Sequence, residues 1–235
     1  MIQDIVLNLK CAAKVQKNLH ISKYFCNFVA EKMNNEEKAN TLTHLVPLIA
    51  TLIIAYPLMR LTTDMLSIIG TSLFLLGMVL MFLSSTLYHA ISEPKVKARL
   101  RVFDHIAIYV MIAGSYSPIC LSVLSGWLGW TLFIFLWACV LAGVIGKVVA
   151  LGKHPKLSLA LYLAMGWVAL LILYPLWKQM PHAAFAWVFT EGIFYSIGAY
   201  FFNKDEEHAY YHAIWHVFIT LGAASHTIAT WLILS

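Results

Sequence analysis

Charge is what this sequence has least of. Only 11% of its 235 residues are Asp, Glu, Lys or Arg, against about a quarter in a soluble domain, and 61% are hydrophobic. That balance excludes an ordinary soluble globule. Carboxylates are scarcest inside the apolar stretches, where Glu191 in "FTEGIFYSIG" is the one that lies deep. The cysteines, at positions 11, 26, 120 and 139, show no CxxC spacing, so neither a cysteine metal site nor a disulfide framework is expected. Strict apolar/polar alternation is missing as well, which excludes a membrane β-barrel. No helix-turn-helix, zinc-finger or RNA-binding signature is present, so nucleic acid is not an expected partner. Lysines interrupt the N-terminal segment where a cleavable signal peptide needs an uncharged core.

What the sequence does have is apolar runs of about 20 residues, each long enough to cross roughly 30 Å of hydrocarbon as a helix. Seven are read, at 42–60, 66–89, 103–124, 128–149, 157–177, 183–202 and 209–234. The expected fold is an all-α integral membrane protein, a seven-transmembrane-helix bundle over 42–235 with no second domain. Residues 1–41 form a basic segment with six lysines. Ile2, Ile5, Leu9 and Ala13 fall there at near-helical spacing, as in an amphipathic helix on a membrane surface; an unstructured basic tail is the alternative. If the N-terminus is cytoplasmic, fourteen of the sixteen basic residues lie inside, and only Arg60 and Lys178 outside. This asymmetry predicts N-terminus in and C-terminus out. The formal charge of +5 then addresses the anionic inner leaflet and membrane lipids. Aromatics at the span ends, among them Tyr88, Trp127, Trp130, Trp177 and Trp187, read as interfacial belts.

That topology brings ligand-bearing helix ends to one depth. The second helix ends at the cytoplasmic side with "SSTLYHA", carrying Ser85 and His89. The third begins there with "RVFDHIAIYV", carrying Asp104 and His105, and the seventh with "YYHAIWHVF", carrying His212 and His216. Four residues turn a helix by about 400°, so His212 and His216 share a face, as do Ser85 and His89. Two histidines at i, i+4 clamp a metal, and a third from a neighbouring helix leaves one tetrahedral position open, the pattern of a catalytic zinc site. Ionisable residues within spans are costly and tend to be functional. His105, turned about 100° from Asp104, faces elsewhere. His44 is read as interfacial, with a fourth-ligand role as the alternative. His226 lies about 15 Å further along its helix than His216, too far to share the metal, and reads as structural or outward-side. Glu191 pairs with a buried hydroxyl or tyrosine, helps line a cavity, or is protonated and hydrogen-bonded in the bundle.

The ordered series "EEKANTLTH", "SSTLYHA", "FDHIAIYVMIAGSYSP", "LYLAMGWVAL", "EGIFYSIGAY" and "YYHAIWHVFITLGAASH" resembles the hemolysin III family, the bacterial branch of the progestin and adipoQ receptors, akin to the alkaline ceramidases. The resemblance spans nearly the whole chain from residue 36. It implies seven helices around a zinc ion near the cytoplasmic face, with His89, His212 and His216 as ligands. Asp104 would touch the water on the metal, with Ser85 nearby as a hydrogen-bonding group. In the ceramidase and adiponectin-receptor branches such a site is associated with hydrolysis of lipid amides. Three functions stay open at this point: a zinc-dependent hydrolase of lipid amides or esters that influences lipid homeostasis, a regulator or receptor with structural zinc, and a pore-forming cytolysin. Against the last, no span carries a charged stripe to line a channel.

Overall fold

The computed structural model describes residues 34–124, 126–150 and 155–235. The proposed amphipathic stretch near the N-terminus lies outside the described residues. Among those described there are seven helical rods and no strand. They are α1 (Asn35–Met59), α2 (Met65–Ala90), α3 (Pro94–Pro118, continued by a π-helical turn Ile119–Val123), α4 (Gly126–Ala150), α5, α6 (His182–Phe202) and α7 (Tyr211–Leu234). α5 joins Pro155–Gly166, a 3₁₀ segment Trp167–Ile172 and Leu173–Gln179. Six of the seven are long and apolar enough to cross a membrane. The one outside that set is α6, where Glu191 and a run of small and polar residues dilute the apolar character. The protein is an all-α membrane bundle.

Two helices begin well ahead of their apolar runs. Asn34 caps α1 by accepting from the Glu37 N–H at 2.8 Å, and Glu36 and Glu37 occupy the first turn, where acids complement the helix dipole. Helix α1 therefore starts seven residues before the apolar run at 42, and those extra turns carry Glu37 and Asn40. Glu93 caps α3, with Pro94 at its first position, a residue pre-set for that place. The basic stretch 95–101 is consequently the first two turns of α3, not a loop.

In hydrocarbon, helices associate through close packing, and small residues allow it. A Cβ on Gly77 would meet Met111 Cα at 3.0 Å, and one on Gly114 would meet Leu73 O at 2.8 Å. Glycines on both helices thus let the antiparallel α2 and α3 touch backbone to backbone. α3 is the innermost rod, with 67% of its apolar window buried, against 22% for α4 and 17% for α5. The outer faces of the bundle are apolar and exposed, as at Ile53, Trp127, Val149 and Leu171, and the buried polar groups concentrate inside. Such an exposed apolar surface suits lipid, not water.

Candidate metal centre

His89 from the end of α2 and His212 and His216 from the start of α7 converge. One ligand nitrogen from each lies within 4.8 Å of the others. Their rings stand edge to face, with centroids 5.0 Å (89–212), 5.1 Å (89–216) and 4.6 Å (212–216) apart. His89 and His216 are buried and His212 is partly exposed, so the cluster opens on one side.

Each imidazole is held by its other nitrogen. His89 Nδ1 lies 2.6 Å from Glu37 Oε2, and His212 Nδ1 lies 2.6 Å from Asp205 Oδ2. A carboxylate only accepts, so both Nδ1 atoms carry the hydrogen. Thr43 Oγ1 lies 3.1 Å from His216 Nδ1, and its one hydrogen is directed to the backbone oxygens of Ala39 and Asn40. Toward His216 it therefore accepts, and that Nδ1 is the donor too. The remaining nitrogens, His89 Nε2, His212 Nε2 and His216 Nε2, are buried without a hydrogen-bond partner. Three lone pairs are thus aimed at one another in a site poor in water, an arrangement that is costly unless a cation sits among them. Carboxylate–histidine–metal relays of this kind fix tautomer and ring orientation. The three histidines fit a metal ion, and they leave a tetrahedral coordination shell one ligand short.

Asp104 and Ser85 are both buried. Asp104 interacts electrostatically with His212 and lies beside Ser85, whose hydroxyl makes no hydrogen bond of regular geometry. All five residues singled out in the sequence thus meet at one end of the bundle.

Other expectations are adjusted. His44 is not interfacial but 3% exposed, because α1 starts early and carries it more than two turns into the helix. Its ring stacks on His216 at 3.7 Å and 22° and meets the edge of Phe82 at 5.3 Å, which wedges the ligand ring in place. His105 is half-buried, and the positive charges of Lys147 and Arg101 act on it, as does His212 of the cluster. His226 pairs with Glu191, so that carboxylate's partner is a histidine and not a hydroxyl. Tyr88 belongs less to a belt than to the site, with its ring 4.6 Å from that of His89 and under the Lys97 ammonium at 4.8 Å.

Sequence reasoning missed the anchors. Glu37 is also bound by Lys97 Nζ at 2.7 Å, tying α1, α2 and α3 together around His89. Glu36 accepts from the backbone N–H of Tyr210 at 2.9 Å. Tyr210 precedes α7 with φ 64°, a left-handed conformation uncommon for a bulky residue, and the strain turns the chain so that His212 enters the cluster. The missing signal was a rule and not a motif: metal-binding imidazoles demand carboxylates at their own depth, and Glu37 and Asp205 are candidates at that depth. Loss of such partners typically costs 10–100-fold in metal affinity. Glu37→Gln and Asp205→Asn should each weaken metal binding by about that factor in competition with a chelating indicator, while Glu206→Gln, exposed in the same turn as Asp205, should leave it unchanged. Equal affinities in all three would reduce these contacts to surface pairs.

The sequence model of the family described as "Haemolysin-III related" matches residues 32–227, which include every residue of the cluster and its anchors. "Hemolysin-3 homolog" of Bacillus subtilis (strain 168) is 37% identical over 196 residues, covering 81% of this chain and 90% of that protein. "Hemolysin-3" of Bacillus cereus is 35% identical over 193 residues, covering 80% and 87%. "Monocyte to macrophage differentiation factor" of Homo sapiens is more distant, 28% identical over 205 residues with 83% of each chain covered. No solved structure matches the chain.

Proposed function

The chain belongs to the Haemolysin-III related family, and from that premise we propose that it is a zinc-dependent hydrolase of lipid amide or ester bonds, working at the cytoplasmic side of the cell membrane. The observation that carries this reading is the set of three anchored imidazoles whose free Nε2 atoms converge near the buried side chain of Asp104. Three neutral imidazoles suit zinc, and a three-ligand shell is the catalytic rather than the structural arrangement. When bound, zinc lowers the pKa of a water towards neutrality and polarises a carbonyl oxygen.

The chain's own residues would do the rest. Asp104 takes a proton from the attacking water as its oxygen bonds to the acyl carbon. Ser85 Oγ, buried without a regular partner, donates to the oxygen on which negative charge develops. Asp104 then returns the proton to the departing amine or alcohol, so that water is added across the cleaved bond and the carboxylate is regenerated. Glu37, Asp205 and Thr43 keep the imidazoles oriented throughout. A lipid would present its linkage at the level of the head groups while its chains stay in hydrocarbon, and through such turnover the protein would influence membrane lipid composition.

Incubating native lipid extract with zinc-loaded and with chelator-stripped protein, followed by mass spectrometry, tests the proposal. Loss of one acyl-lipid class with release of fatty acid, only by the loaded protein, is expected. If both samples leave every class intact, zinc is structural and the protein is a regulator. The cytoplasmic address has its own check. In a cysteine-free background, Lys97→Cys should be shielded from membrane-impermeant maleimide in intact cells and Ser235→Cys should label; the opposite pattern inverts the bundle.

A further inference from the structure

The end of the bundle that carries the metal centre holds a second set of polar groups, on the side formed by α3, α4 and α5. Lys147, near the end of α4, is 5% exposed. Its Nζ donates to Ser158 Oγ at 2.6 Å and lies 5.9 Å from the centroid of the Tyr162 ring, both partners being on α5. The Tyr162 hydroxyl donates in turn to His105 O at 2.9 Å, which brings α3 to the same point. Arg101 stands one turn before His105 on α3, at i, i+4, so the two share a face. Tyr109, one turn beyond His105, closes the floor: its ring meets that of Tyr162 at 4.6 Å, and a Cβ on Gly143 of α4 would strike it at 2.7 Å. Arg101, His105 and Lys147 thus gather round one tyrosine, close enough that the two cations act electrostatically on each other and on His105.

These cations lack counter-charges. An ammonium has three donors, and Ser158 takes one. Among the described residues no carboxylate pairs with Lys147 or Arg101. The acids at this end are engaged elsewhere: Glu37 with His89 and Lys97, Asp205 with His212, Glu93 with the backbone of its own helix, and Asp104 with His212 and Ser85. Two like charges side by side, one of them buried, are costly unless an anion joins them. Donors stand ready for one: the exposed Arg101 fork, the spare Nζ hydrogens and an N–H of the His105 ring. A phosphate has enough oxygens to engage all three, and the planar guanidinium binds it through two hydrogen bonds at once.

The surroundings identify what carries the phosphate. Ile145, Val148 and Val149 on the last turns of α4 and Leu157 at the start of α5 are exposed, an apolar surface suited to hydrocarbon chains. Arg101 precedes the apolar run that begins at 103, which places it at head-group level. Phosphate and hydrocarbon at one spot are the two parts of a phospholipid, and basic pockets between membrane helices accept such head groups. A choline group would bring a fixed positive charge beside two cations with no carboxylate to offset it. The favoured head group is therefore anionic overall.

We propose that Arg101, His105 and Lys147 form a head-group site for an anionic phospholipid of the phosphatidylglycerol class, separate from the metal ligands and independent of hydrolysis there. Native mass spectrometry of the full chain in neutral detergent, titrated with phosphatidylglycerol, phosphatidylcholine or diacylglycerol of equal acyl chains, tests it. Phosphatidylglycerol is expected to bind about tenfold more tightly than phosphatidylcholine and about thirtyfold more tightly than diacylglycerol. Arg101→Gln and Lys147→Met should each weaken its binding about fivefold, and together bring it to the level of diacylglycerol. Lys95→Gln/Arg99→Gln removes the same charge from exposed positions of the same helix and should bind as the wild type does. Zinc content should be unchanged in every variant, which reports an intact bundle and separates this result from any failure at the metal centre. Arg101 is exposed, so its variant tests the site even where Lys147→Met does not fold. Millimolar inorganic phosphate should leave the lipid bound, because it forgoes the apolar surface. Equal binding of phosphatidylglycerol and diacylglycerol, undiminished binding in Arg101→Gln, an equal loss in the Lys95→Gln/Arg99→Gln control, or displacement by inorganic phosphate overturns the inference.

Discussion

His212→Ala should reduce the zinc retained by protein purified in mild detergent from about one ion per chain to almost none, and His216→Ala and His89→Ala should do the same. The size of the effect follows from the count of ligands. A tetrahedral shell with three protein donors has none to spare, and the donors come from only two helices, so each loss leaves either a lone i, i+4 clamp or two single imidazoles on separate helices. His44 cannot step in by a small movement, because its ring is stacked face to face on that of His216 at 3.7 Å and wedged by Phe82. His226→Ala should keep the metal, since its ring is engaged by Glu191 at a different level of the bundle. Metal analysis of the purified proteins reads the outcome directly. Wild-type zinc content in a His212→Ala/His216→Ala double variant would falsify the site.

The parts of this molecule that were legible in the sequence are those fixed by long-range averages. Seven apolar runs give seven rods, because hydrocarbon admits only backbone that bonds within itself. Topology then placed Ser85, His89, Asp104, His212 and His216 at one depth without any knowledge of packing. Illegible were features set by local capping and by contacts between distant segments. α1 and α3 reach past their apolar runs because Asn34 and Glu93 supply caps, and charged first turns look like tail or loop when only hydropathy is read. The relay from Glu37 to His89 joins residues 52 apart in sequence, so nothing near either one announces it. Glu191 looked like an isolated carboxylate for the same reason: its partner His226 lies 35 residues away on the next helix. The break in α5 leaves no mark in the run "LYLAMGWVALLILYPLW", whose apolar character continues through the 3₁₀ segment. Its cause lies in α3, where Tyr116 bonds Gly166 and Ala169.

Asp104→Asn separates an enzyme from a regulator. The carboxyl is 6% exposed, interacts with His212 and lies beside Ser85, but it is not among the three groups that converge to hold a metal. Asparagine has nearly the same shape and keeps a carbonyl oxygen beside Ser85, so the bundle should fold and retain most of its zinc. The amide cannot take up a proton, however, and loss of a positioned general base typically slows turnover about 10²–10⁴-fold. With the three imidazoles and the apolar surroundings untouched, the loss should fall on kcat, with KM changing little. A zinc-loaded Asp104→Asn protein should therefore bind the acyl lipid that the wild type consumes and release almost no fatty acid from it. If Asp104 served only to brace the cluster, the variant would instead lose zinc or thermal stability, and whatever turnover survived would scale with the metal it kept. Measuring fatty-acid release per bound zinc in the two proteins distinguishes the cases: a ratio near one removes Asp104 from the chemistry, and a fall of a hundredfold or more at equal zinc assigns it the proton.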